Sequence, residues 1–151
     1  MVFIFNLVSV DEKVDTNKKI VSIVDNEIDI TVLFEDALRT KMKDFSIVSF
    51  NEPADALDHF KKNKDRYALV ISDLRMPTMD GLQLLNKVKK LNPYVRTMLI
   101  SAYEFQNNPI FEKYLNEGIV NTFMEKPIKI DRLCQRVREE FRVYQLRSNK
   151  A

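Results

Sequence analysis

Five short apolar runs alternate with stretches of helical spacing, and this alternation constrains the fold more than any other feature of the chain. Ile20-Val-Ser-Ile-Val24 comes first, and its near-continuous apolar character suits a parallel strand covered on both faces. Ile30, Leu33, Ala37 and Leu38 then recur at helical spacing. Phe45-Ser-Ile-Val-Ser-Phe50 reads as a second strand. Asn51 is placed to cap a helix with Pro53 in its first turn and Ala54, Leu57 and Phe60 facing inwards. Ala68-Leu-Val-Ile-Ser72 is a third strand, and Leu82, Leu85 and Val88 mark a helix that ends before Pro93. Thr97-Met-Leu-Ile100 is a fourth strand, followed by a helix over Pro109 to Glu117 with Gly118 as its stop. Asn121-Thr-Phe-Met124 is the fifth strand, and Ile130, Leu133, Val137, Phe141 and Tyr144 form the inner face of a last helix. Parallel strands need crossover helices, and those helices cover both faces of the sheet. The expectation is an α/β domain with one sheet between two helical layers.

Composition narrows the function. At 151 residues the chain is expected to be one domain. A core of that size needs no disulfide or metal staple. The single cysteine, Cys134, excludes an internal disulfide and a multi-cysteine metal site. Two glycines, Gly81 and Gly118, exclude a glycine-rich phosphate loop. One histidine, His59, excludes a multi-histidine metal site and argues against a Ser–His–Asp triad. Twenty-four Lys plus Arg against 22 Asp plus Glu leave a net charge of +2, which argues for neither nucleic acid nor a membrane surface. No apolar run reaches the roughly 20 residues of a membrane helix. The opening Met1 to Val10 lacks the basic start and cleavage site of a signal peptide, so the chain is expected in the cytoplasm. Residues 1–17 are read as an N-terminal extension, 18–147 as the folded domain and 148–151 as a tail, with no second domain. For the extension three readings stand: an edge strand, an arm on a partner, or a loose terminus, with docking of Phe3, Ile4, Phe5 and Leu7 favoured.

In an open parallel sheet, ligands bind outside the carboxyl ends of the strands. The first strand ends in Asp25-Asn26-Glu27, the third in Asp73, the fourth in Ser101 and the fifth in Glu125-Lys126-Pro127. Any one of these is an ordinary loop residue, but carboxylates, a hydroxyl and a lysine on one rim suit phosphoryl chemistry. Asp73 can act as nucleophile. Asp25 offers an oxygen to a hard cation such as Mg²⁺. Ser101 can donate to a phosphoryl oxygen, and Lys126 can pair with it.

Those residues carry a resemblance. Val70 to Leu85, containing Ser72-Asp-Leu-Arg-Met-Pro-Thr-Met-Asp-Gly81, resembles the phosphoacceptor segment of response-regulator receiver domains. So do Ile23-Val-Asp-Asn-Glu27, Met98-Leu-Ile-Ser-Ala102 and Phe123-Met-Glu-Lys-Pro127. The resemblance runs from about Lys18 to Leu146. It implies a flavodoxin-like (βα)5 fold with strand order 2-1-3-4-5. It implies a two-component phosphorelay in which Asp73 accepts phosphate from a histidine kinase or phosphotransfer protein. Mg²⁺ is then held by Asp25, Asp73 and the main-chain carbonyl of Arg75, with Asn26 beside them. Ser101 becomes the switch hydroxyl, Phe123 the switch aromatic and Lys126 the family's lysine, and the Lys126–Pro127 bond is expected to be cis. The output is expected through the face of the fourth helix, fifth strand and fifth helix, with Tyr103, Phe105, Phe111 and Tyr114 lining it. A homodimer is another route.

The departures matter. The family usually carries a second acid where this chain has Asn26. A unit charge at about 4 Å is worth about 4 kcal/mol at an effective dielectric of about 20, so Mg²⁺ binding should weaken tenfold or more. Glu27 is expected to point away rather than replace the missing acid. The stretch from Ser101 to Lys126 is a few residues longer than typical. The resemblance also places Arg75 and Tyr103 where the family gates water access, and their bulk there implies a long-lived phosphorylated state; the other reading leaves both on the surface. His59 is expected to be solvated, and Cys134 partly buried packing. The last 24 residues carry seven Lys plus Arg against three acids, a solvated basic face rather than a nucleic-acid site.

Two functions follow. The first is a non-enzymatic phosphoacceptor whose only chemistry is its own Mg²⁺-dependent phosphotransfer and dephosphorylation, signalling through a partner protein. The alternative is a phosphorylation-independent pseudo-receiver used as an interaction module, which Asn26 favours and Asp73, Ser101 and Lys126 oppose. A phosphatase is set aside because Arg75 stands where its general acid belongs. A flavin carrier is set aside because Asp25 and Glu27 put acid where a phosphate cradle would be.

Overall fold

The computed structural model describes residues 18–102 and 108–148. The expectations for residues 1–17, Tyr103 and Phe105 lie outside these residues. Strands β1 (Lys19–Val24), β2 (Phe45–Phe50), β3 (Tyr67–Asp73), β4 (Arg96–Ser101) and β5 (Thr122–Glu125) alternate with helices α1 (Ile28–Lys41), α2 (Pro53–Asn63), α3 (Gly81–Leu91), α4 (Pro109–Asn116) and α5 (Ile130–Ser148). The five strands form one parallel sheet in the order β2-β1-β3-β4-β5, as expected.

Both faces of the sheet are apolar, so the core is double. Val21, Ile23, Leu69 and Ile71 meet Phe34 and Leu38 of α1 and Leu133, Val137 and Phe141 of α5. Ile20, Val24 and Val70 meet Leu57 and Phe60 of α2, Leu85 and Val88 of α3 and Phe111 of α4. Each such side chain contributes about 1.5–3 kcal/mol by leaving water. The helices end by local chemistry. Asp80 and Gln83 form a reciprocal capping box at α3. After α4, Gly118 sits at φ 77°, with Gly118 N–H donating to Leu115 O and Ile119 N–H to Tyr114 O. This is a Schellman stop, and it needs the left-handed conformation glycine allows.

Several local expectations are corrected. Leu33 is 50% exposed, and Phe34 and Thr31 turn inwards instead. Ala54 is exposed, while Pro53, Ala56, Leu57 and Phe60 are buried. The residue at the α2 cap is Glu52, without a side-chain bond, and Asn51 reaches elsewhere. His59 is half-buried, with Nδ1 2.6 Å from the hydroxyl of the fully buried Tyr67. Cys134 is 2% exposed and belongs to the core. Phe111 is buried rather than presented outwards.

The amino ends of β4 and β5 carry a buried polar cluster. Arg96 Nε donates to Glu140 Oε1 at 2.6 Å, and Thr122 Oγ1 to Glu140 Oε2 at 2.5 Å. The pair ties α5 to both strands. Among the described residues no helix is long and apolar enough to cross a membrane.

Candidate phosphoacceptor site

Register brings the candidate side chains together. Val24 pairs with Ser72, so Asp25 leaves β1 alongside Asp73 at the end of β3. Asp73 pairs with Ile100, and Ser101 with Glu125, so Ser101 and Lys126 stand at the same rim. The ladder runs slightly past the strands, with Leu74 N–H donating to Ile100 O at 2.9 Å and Lys126 N–H to Ser101 O at 2.8 Å. Asp25, Asp73 and Ser101 are 4%, 6% and 4% exposed.

Lys126 Nζ lies 2.7 Å from Asp73 Oδ1. The Lys126 side chain is 42% exposed while that of Asp73 is 7% exposed, and the contact between them is charge-assisted. Asp25 has no such partner among the described residues. Its Oδ1 accepts the Glu27 N–H at 2.9 Å. Burial pushes the Asp25 carboxyl above its ordinary range, and the charge of Asp73 adds to this, against the pull of the Glu27 N–H and Lys126. Two buried carboxylates therefore share one ammonium. Oxygen donors of the kind a hard cation takes are present in Asp25, Asp73 and the neighbouring carbonyls, but no group of three or more His, Cys, Asp or Glu side chains converges among the described residues.

Asn26 and Glu27 are exposed, and Glu27 uses its backbone rather than its carboxylate here. Arg75 is exposed and lines, with Met76, Pro77, Ile110 and Tyr114, a cleft of about 840 Å³ between the loop after β3 and α4. Phe123 is half-buried, its ring 4.7 Å from that of Phe111. The Lys126–Pro127 bond is cis, as the resemblance implied.

Two supporting residues escaped the sequence reading. Gly81 opens α3 directly against the backbone of Asp73: a Cβ there would lie 2.3 Å from Asp73 O and 2.9 Å from Leu99 Cδ1. Its N–H donates to Leu74 O at 2.8 Å. Asn51 donates from Nδ2 to Asp25 O at 2.8 Å and to Thr31 Oγ1 at 3.0 Å. Nothing local in the sequence separates such a residue from a helix cap, because its partners lie 26 and 20 residues away.

Residues 21–138 match the family model of the response regulator receiver domain. The C4-dicarboxylate transport transcriptional regulatory protein DctD of Rhizobium meliloti is 30% identical over 118 residues, covering 78% of this chain and 24% of that protein. The cyclic di-GMP phosphodiesterase response regulator RpfG of Xanthomonas campestris is 28% identical over 118 residues, covering 78% of this chain and 30% of that one. The chain thus spans about a quarter of the length of these relatives. A crystal structure of a response regulator receiver domain protein from Clostridium thermocellum superposes with a TM-score of 0.75 at 20% identity, over 85% of this chain and 98% of its own, which is a likeness of fold. Sequence model, curated relatives and topology agree that this chain belongs to the family of response regulator receiver domains of two-component signalling.

Proposed function

We propose that the chain is a phosphoacceptor whose Asp73 takes a phosphoryl group from a phosphohistidine on a histidine kinase or phosphotransfer protein. A carboxylate oxygen of Asp73 forms the new P–O bond as the P–N bond to the donor breaks. The observation that carries this reading is the 2.7 Å contact between Lys126 Nζ and Asp73 Oδ1, with Asp73 buried and Asp25 beside it. An amine already seated on the acceptor is positioned to follow charge onto the phosphoryl oxygens, where a buried site gives it more weight than water would. Ser101, buried at the same rim, supplies a hydroxyl to those oxygens.

The donor set fits Mg²⁺, since Asp25 and Asp73 form a pair of buried carboxylates short of positive charge. Asp25, Asp73, the Arg75 carbonyl and Asn26 would hold the ion, which neutralises charge on the phosphoryl oxygens when bound. Asn26 brings an oxygen without a charge, so the requirement for Mg²⁺ should be steep. Movement of Ser101 towards the phosphoryl group, with Phe123 turning in after it, would alter the face of α4, β5 and α5 that meets a protein partner or a second copy. The chain itself acts as a signalling module rather than an enzyme.

Asn26 supports a second reading, a receiver that binds its partner without phosphate. Intact mass after incubation with a small phosphodonor, with and without Mg²⁺ and beside Asp73→Asn, separates the two. A phosphate-sized gain that needs both Mg²⁺ and Asp73 supports the phosphoacceptor, and Asn26→Asp should then lower the Mg²⁺ required. No gain in the folded chain at high Mg²⁺ supports the pseudo-receiver.

A further inference from the structure

Asp25 is held from a neighbouring strand. Its N–H donates to Phe50 O at 3.1 Å, extending the β1–β2 ladder by one residue. Its carbonyl accepts from Asn51 Nδ2 at 2.8 Å. The same amide donates to Thr31 Oγ1 at 3.0 Å, and the Thr31 hydroxyl donates in turn to Ile28 O at 2.9 Å. An asparagine amide has two N–H bonds, and both find acceptors here. The three-residue link Asp25-Asn26-Glu27 is therefore clamped at both ends: to β2 at Asp25 and to the first turn of α1 at Thr31. Thr31 is 2% exposed, so the far anchor is buried.

Resting on the reading of Asp25 and Asp73 as cation ligands, we propose that Asn51 is a positioning residue, which fixes the Asp25 peptide and so aims its carboxylate at the rim. The Asp25 side chain has few degrees of freedom once its backbone is pinned and Oδ1 takes the Glu27 N–H. Residues that orient a metal ligand from behind typically govern affinity by about 10–100-fold. The clamp matters more here than in a site with a full set of acids, because Asn26 contributes no charge to hold a misaligned ion.

The test follows backbone amide shifts of the labelled full chain through a Mg²⁺ titration, which needs no phosphodonor. Wild type, Asn51→Ala, Asn51→Ser, Thr31→Val and Val137→Ala are compared, the last as a destabilised control far from the rim. Wild type should show saturable shifts at residues 25–27 and 73. Either Asn51 variant should bind about tenfold more weakly or worse, Thr31→Val should lose less, and Val137→Ala should bind as wild type does. Asn51 variants within about twofold of wild type, or an equal loss in Val137→Ala, overturn the clamp while leaving the cation site standing. Absence of any shift at 25 and 73 in wild type overturns the reading of the site, and the clamp with it.

Discussion

Gly81→Ala tests how tightly Asp73, the proposed acceptor, is built into the fold. The added Cβ would sit 2.3 Å from Asp73 O, 3.1 Å from Asp73 C and 2.9 Å from Leu99 Cδ1. Relief to an ordinary carbon–oxygen contact requires a shift of about 1 Å. Neither side yields easily. Gly81 N–H is bonded to Leu74 O, Leu74 N–H to Ile100 O, and α3 is locked by the capping box of Asp80 and Gln83. Overpacking of this kind costs about 1–3 kcal/mol. A broken Gly81–Leu74 bond adds about 1 kcal/mol. Alanine's helix preference returns up to about 1 kcal/mol. The net loss is about 1–3 kcal/mol, and at roughly 2–4 °C per kcal/mol the melting temperature should fall by about 2–12 °C. A misplacement of about 1 Å at the acceptor should also slow phosphorylation about a hundredfold. Circular-dichroism melting and a time course of intact mass measure the two effects. Gly118→Ala is the control: nothing lies within 4 Å of its Cβ, but φ is 77°, so it should lose about 1–2 kcal/mol with phosphorylation unchanged. A Gly81→Ala protein that melts with wild type and accepts phosphate at the wild-type rate would refute the close approach.

Asp25 has a folded pKa above its unfolded value, so the unfolded chain ionises first and stability is lost as pH rises through the folded value. Asp25→Asn should therefore melt higher than wild type at pH 7 without Mg²⁺, lose that advantage below about pH 4, and fail to take up phosphate; equal melting at pH 7 would count against the burial argument. Arg96→Met strands Glu140, whose side chain is 9% exposed, and should cost about 3–5 kcal/mol in urea unfolding, largely recovered by adding Glu140→Leu. Burial, with Arg66 adding to it, holds His59 below its ordinary pKa, so the unfolded chain takes its proton first and stability falls as pH drops through about 6.5. His59→Gln should flatten the melting temperature between pH 7 and 5, and an unchanged slope would point to another group.

The placement of the candidate site was legible because its residues lie at the carboxyl ends of strands. Val24, Ser72 and Ile100 end runs that any covered parallel strand shows, so Asp25, Asp73 and Ser101 fall on one rim once the strands are parallel. The strand bounds also came close: β3 was expected over 68–72 and spans Tyr67–Asp73. Helix faces were less legible. Leu33 and Ala54 satisfy helical spacing yet face water, because a helix buries only the stripe that its neighbour offers. On α1 that stripe is set by Phe34 and Leu38 against the sheet and α5, and Leu33 lies one residue to its side.

Local pattern in the chain determined the layers, the parallel strands and the set of polar residues at one rim, since periodicity and strand ends depend on near neighbours alone. Tertiary structure decided which of those groups touch. The Lys126–Asp73 pair spans 53 residues, the Asn51 clamp joins β2 to β1 and α1, and Gly81 matters because Asp73 O passes beneath it. His59 changed from a surface residue to the partner of Tyr67, and Phe111 from a surface ring to the neighbour of Phe123. Contacts of that kind depend on how separate elements dock, and docking is set by the shape of both cores at once rather than by any stretch of sequence.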